Sequence, residues 1–85
     1  MAEYEIFFKT SVEKDAQSIP KKDLKRILDR IQHLASDPLP PGCEKLTGQN
    51  RYRLRQGRYR ILYTIQDDTL AVWVIKIGRR KAIHR

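Results

Sequence analysis

Five arginines and two tyrosines surround one glycine in residues 51–60, which read RYRLRQGRYR. Guanidinium groups stay protonated and present a planar fork of donors, so they grip phosphate oxygens two at a time. Gathered together, they can also stabilise the extra charge of a pentacoordinate phosphorane. The spacing would gather them. Successive strand side chains point to opposite faces, so Arg51, Arg53 and Arg55 share one face while Tyr52 and Leu54 share the other. A tight turn at Gln56-Gly57 would bring Arg58 and Arg60 opposite Arg55 and Arg53. Like charges directly across a strand pair destabilise a sheet, so this pattern points to an anionic ligand.

Arginine is a poor proton carrier, and a phosphoryl-transfer site built on it needs another acid or base. His84 is the candidate, because an imidazole titrates near neutral pH. The competing reading is a frayed chain end. His33 falls near the edge of a helical stripe and reads as a boundary residue. Tyr52, Tyr59 and Tyr63 are most simply core residues with polar tips. Trp73 either stacks on a nucleobase or covers the sheet. Asp67-Asp68 reads as a turn pair rather than a carboxylate dyad. One cysteine, Cys43, and two histidines make no zinc cluster of the usual spacing, so no metal is expected. The glycines at 42, 48, 57 and 78 form no phosphate loop, and no cofactor is expected.

The elements that carry these residues follow from periodicity. Residues 4–9 (YEIFFK) read as a first strand. Ser11 is placed to cap a short helix running to about Ser18. Pro20 suits the first turn of a second helix, where its missing N–H is harmless. In that helix Leu24, Ile27, Leu28, Ile31, Leu34 and Ala35 recur at spacings of three and four, which makes one apolar stripe. Asp37-Pro38 ends it. Residues 39–50 read as a loop. Three strands follow, at about 51–56, 59–66 and 70–77, joined by hairpins at Gln56-Gly57 and Asp67-Asp68. One face would carry Tyr52, Leu54, Tyr59, Ile61, Tyr63, Ile65, Leu70, Val72 and Val74, and would pack on the helices. The other would carry the five arginines, then Leu62, Thr64, Ala71, Trp73, Ile75 and Ile77. No carboxylate is expected on that basic face. Residues 79–85 form a basic tail.

The chain has 85 residues and a net charge of +8. That length supports one small domain over 1–85 with one modest core. The charge points to a polyanion or an acidic protein as partner. A single cysteine and the absence of a signal-peptide pattern point to a reducing cytoplasm. The apolar stretches are far too short to span a bilayer.

The run KLTGQNRYRLRQGRYRILYTIQDD, followed by VWVIKIGRRKAIHR, resembles the RelE/ParE toxin superfamily, with the RelE branch nearest in pattern. The resemblance covers nearly the whole chain. It implies an α+β fold of β-α-α-β-β-β order, with an antiparallel sheet packed on two N-terminal helices. It implies an mRNA interferase acting in the ribosomal A site without a metal. The RNA 2′-hydroxyl attacks the adjacent phosphorus, leaving a 2′,3′-cyclic phosphate and a 5′-hydroxyl. Arg60 then falls on the catalytic arginine of the family's third strand, and Arg80 on the arginine after the last strand. Arg53 and Arg55 fall where relatives often carry lysine. His84 falls where many relatives carry tyrosine and some histidine. Arg55, Arg60, Arg80 and His84 are thus the expected catalytic set. Arg51, Arg53, Arg58, Arg79 and Lys81 are the expected phosphate contacts. The implied partners are mRNA, the ribosome and an acidic antitoxin in a tight hetero-oligomer. The antitoxin would suit the apolar half of the basic face, the basic helix surface and the exposed strand edge. Two rival expectations remain, a ParE-like inhibitor of DNA gyrase and an inactive RNA-binding relative.

Overall fold

The computed structural model describes residues 3–46, 48 and 50–79. Strand β1 (Glu5–Phe8) leads into helix α1 (Thr10–Gln17) and helix α2 (Lys21–Gln32), whose end tightens into a 3₁₀ turn over His33–Ala35. Strands β2 (Glu44–Lys45), β3 (Arg51–Gln56), β4 (Tyr59–Gln66) and β5 (Ala71–Arg79) follow. They form one sheet of order β1-β5-β4-β3-β2. This is the expected α+β fold with two corrections. The sheet is mixed, because β1 lies parallel to β5. The helices carry the chain from β1 at one edge to β2 at the other, and the antiparallel meander β2-β3-β4-β5 returns to lie beside β1. The second correction is β2 itself, two residues paired with Tyr52 and Arg53 inside what reads as loop.

Both helices cover one face of the sheet. Ile27, Ile31 and Leu34 of the α2 stripe are fully buried, while Leu28 at its edge stays exposed. They pack with Val12 and Ile19 against Leu54, Tyr59, Ile61, Tyr63, Val72 and Val74. The expected cap is not formed. Lys9 precedes α1 with no side-chain capping bond, and Ser11 lies inside the first turn.

The first hairpin turns at Gly57-Arg58, one residue later than expected, with Gln56 opposite Tyr59 and Arg55 opposite Arg60. Gly57 explains the shift. It alone of the two loop residues has a positive φ, +60°, the pattern of a two-residue type II′ turn with glycine first. The second connection is longer than expected. Gln66 pairs with Ala71 across residues 67–70, and Leu70 (φ +50°) sits in that loop, exposed, rather than on the core face.

A bulge in β5 changes the other face assignments. Leu62 pairs with Lys76 but Tyr63 pairs with Val74, which leaves Ile75 as the extra residue. Beyond it the alternation is inverted. Ile77 joins the core at 2% exposure, and Arg79 pairs with Tyr59 on the helix side. Asp15 of α1 secures the bulge: its Oδ2 accepts the Ile77 N–H (3.2 Å), and its Oδ1 lies 3.7 Å from Lys76 Nζ.

Tyr63 is the largest fully buried side chain. Its hydroxyl donates to the Pro38 carbonyl (2.7 Å) and lies 3.1 Å from Cys43 Sγ, which ties the loop after α2 to the sheet. Burial, then the Cys43 contact, raises its pKa above the ordinary 10.0. The neutral phenol is therefore favoured by folding. Its contribution is complete below about pH 10 and declines as the unfolded chain ionises above it. Tyr63→Phe should lose about 1–3 kcal/mol at neutral pH. In urea titrations the wild type's advantage should then shrink by about 1.4 kcal/mol per pH unit above pH 10. A constant advantage through pH 11 would contradict this.

Candidate functional site

The face away from the helices is arranged in rows across neighbouring strands. At the hairpin end Arg55, Arg60 and Gly78 lie side by side on β3, β4 and β5. The next row is Arg53, Leu62 and Lys76, and the next is Arg51, Thr64, Trp73 and Phe7. The arginines of β3 and β4 thus share one face, as strand alternation requires. Their detailed opposition differs from expectation: Arg60 meets Arg55, and Arg53 meets Leu62.

Arg60 is the unusual member. It keeps only 6% of its surface exposed and is the one buried charged residue among those described, whereas Arg51 and Arg55 stand exposed. On its other side the row ends at Gly78, which puts no side chain beside it. A guanidinium is expensive to desolvate and is retained where its donors are used. Its fixed position on a central strand suits a group that must hold charge in one place.

Arg53 is partly committed. Its Nε and Nη2 both lie 3.1 Å from Glu44 Oε1. The short strand β2 therefore brings a carboxylate to the basic face, where none was expected. Nothing in the alternation around residues 44–45 signals this, because two residues are too few to show a period.

Other expected residues are separated from the set. Arg58 lies in the turn and Arg79 on the helix side. Both line a cavity of about 450 Å³ with Pro20, Asp23, Arg26 and Tyr59. Tyr59 donates to Asp23 there over 3.4 Å. The Ile75 bulge accounts for the position of Arg79. Arg80, Lys81 and His84 lie outside the described residues. His33 bonds through Nδ1 to the Asp29 carbonyl (2.8 Å), as a helix-boundary residue does. Asp67 accepts the Tyr4 hydroxyl (2.6 Å), and that bond raises the Tyr4 pKa. Among the described residues, no three His, Cys, Asp or Glu side chains gather as a metal site would need, and no helix is long and apolar enough to cross a membrane.

Residues 6–83 match the family described as the ParE toxin of the type II toxin–antitoxin system, parDE. A Methanocaldococcus jannaschii protein named as toxin RelE1 is 29% identical over 76 residues, which span 85% of this chain and 84% of that protein. Toxin RelG of Mycobacterium tuberculosis is 28% identical over 86 residues, 96% of this chain and 97% of that one. Among solved structures, the archaeal RelE–RelB complex from Pyrococcus horikoshii aligns with a TM-score of 0.82 at 28% identity, covering 92% of this chain and 96% of the other. The RelBE2 toxin–antitoxin complex of M. tuberculosis has the same fold, with a TM-score of 0.83 at 24% identity, covering 93% and 100%.

Glu44 would compete with an anion for Arg53, so if Arg53 binds anions Glu44→Gln should raise the salt needed to elute the protein from a phosphate-bearing resin. Stability should change by less than about 1 kcal/mol, since the pair is partly exposed. Elution at unchanged salt would show that Arg53 takes no part in anion binding.

Proposed function

The chain belongs to the ParE toxin family of type II toxin–antitoxin systems, and on that premise we propose that it is an endoribonuclease toxin that cleaves messenger RNA. The observation that carries the reading is the buried Arg60, set between Arg55 and the bare Gly78 on a face that also presents Arg51 and Arg53. A site that only attracted a polyanion could use exposed, mobile cations. A guanidinium fixed and desolvated on a central strand suits charge that develops at one phosphorus in a transition state.

In this mechanism the RNA 2′-hydroxyl attacks the adjacent phosphorus and the 5′-oxygen of the next nucleotide leaves. The products are a 2′,3′-cyclic phosphate and a 5′-hydroxyl, and no metal is needed. Arg60 holds the non-bridging oxygens as they gain charge, with Arg55 beside it, and Arg80 is assigned the same charge-stabilising role. Arg51 and Arg53 bind neighbouring phosphates. His84 carries the proton that arginine cannot carry. The ribosomal A site is the proposed place of cleavage. An acidic antitoxin is the proposed partner, covering the arginine face and keeping RNA away. In support of a protein partner, the RelBE2 structure is a toxin–antitoxin complex and the archaeal structure a RelE–RelB complex.

Expressed without its antitoxin, the chain should stop growth and produce new messenger 5′ ends within translated codons. Arg60→Ala should lower cleavage on the order of 10²- to 10³-fold while keeping a cooperative thermal transition. His84→Ala should also relieve toxicity, and wild-type cleavage in that variant would remove it from proton transfer. Intact messenger together with blocked DNA supercoiling would overturn the nuclease reading in favour of gyrase inhibition.

A further inference from the structure

Trp73 is the one tryptophan of the chain and lies on the same face as the arginines, away from the core. One side of its indole is stacked on Phe7 of β1, with ring centroids 4.8 Å apart and planes 20° apart. It is only half-buried, and it also lines a groove of about 410 Å³ with Lys9, Arg51, Thr64, Gln66 and Ile75. The register sets these residues in order, since Arg51 pairs with Thr64 and Thr64 with Trp73. A ring backed by a second ring is a rigid platform. On the β4 side of that platform lie the Thr64 hydroxyl and the Gln66 amide, with Arg51 beyond them on β3, and at the β1 edge lies Lys9.

A sheet-covering tryptophan needs none of those polar neighbours, and a groove meant for an apolar protein side chain would not be lined by Lys9, Arg51, Thr64 and Gln66. A nucleotide uses all of them. Its base stacks on an aromatic face, its phosphate meets a guanidinium or ammonium, and its base edge meets hydroxyl and amide groups. The Gln66 Oε1 already accepts the Thr69 hydroxyl at 3.4 Å, which leaves its amide N–H groups for a base acceptor. The groove volume falls within the usual range of small-ligand clefts.

We propose that this groove is a nucleotide-binding subsite of the RNA substrate, with Trp73 stacking the base and Gln66 and Thr64 contacting its edge. The proposal rests on the ribonuclease reading. Arg60 and Thr64 lie on one face of β4 four residues apart, a separation of about 13 Å along the strand. The bound nucleotide is therefore not the one attacked beside Arg60 but a flanking one. Trp73 acts in binding and selection, and its role shows in KM and sequence preference rather than in the rate of the bound complex.

The single tryptophan makes the test direct. The probes are a short RNA oligonucleotide with every 2′-hydroxyl methylated, which cannot undergo the attack, and inorganic polyphosphate of similar charge. The oligonucleotide should quench Trp73 fluorescence on binding, and polyphosphate should bind without quenching. Trp73→Leu should weaken oligonucleotide binding by about tenfold to a hundredfold and leave polyphosphate binding unchanged, while Trp73→Phe restores most of the loss. Gln66→Ala, a change at an exposed residue, should alter the preferred base at one flanking position of the cut without altering polyphosphate binding. Oligonucleotide binding by fluorescence anisotropy, with no quenching and no loss in Trp73→Leu, would overturn the subsite and leave the ribonuclease reading standing. A Trp73 signal that responds to the antitoxin but not to bound RNA would also overturn it, and would assign the groove to the protein partner. Failure of the oligonucleotide to bind at all, with messenger intact in cells, would overturn both readings together.

Discussion

The structure depends on a cation placed where a sheet would ordinarily put an apolar residue. Arg60 is buried on the central strand β4, faces Arg55 across the hairpin, and has Ile61 and Tyr59 beside it in sequence pointing into the core. Two guanidinium groups in directly paired positions repel, and burying one of them adds a desolvation penalty. Both penalties fall when an anion sits between the groups. The core then acts as the support for that site. Ile27, Ile31 and Leu34 pack in one core with Ile61 and Tyr63 of β4 and so fix the backbone that carries Arg60.

The β5 bulge is the second device, and it acts by sorting. A regular strand would have put Ile77 and Arg79 on the basic face. With Ile75 as an extra residue, Ile77 enters the core, Gly78 comes beside Arg60 and Arg79 passes to the helix side. Asp15 accepts the Ile77 N–H beyond the end of the β1 pairing, where no strand of the described residues does so. One carboxylate on α1 thereby helps decide which residues of the last strand join the site. Glu44 tunes the opposite edge, where it holds Arg53 at 3.1 Å and moderates the repulsion along β3.

Local pattern made much of this legible and left out what longer-range packing decides. The arginines of β3 and β4 share a face because strand alternation has period two, and moving the turn from Gln56-Gly57 to Gly57-Arg58 preserves that parity. Arg51, Arg53, Arg55 and Arg60 therefore came out together although their pairing was different. The α2 stripe was equally readable, since Ile27, Ile31 and Leu34 repeat on a helical period. The bulge was not readable, because Val74, Ile75 and Ile77 are all apolar and the alternation is silent there. Ile77 was misplaced as a result, and Arg79, read as the start of a basic tail, is instead the last residue of β5. The parallel β1–β5 pairing and the two-residue β2 arise from tertiary closure of the sheet, for which no local signal exists. The burial of Arg60 also needed the structure, since its sequence neighbourhood resembles that of the exposed Arg55.

On the proposed function, the face around Arg60 would perform a metal-free transesterification on RNA. The direct measurement is end-group analysis of messenger incubated with purified protein and translating ribosomes in excess chelator. The wild type should yield fragments ending in 2′,3′-cyclic phosphate and beginning with 5′-hydroxyl, and a folded Arg60→Ala protein should not. Uncut messenger under those conditions, or fragments carrying 5′-phosphate, would contradict the proposed function.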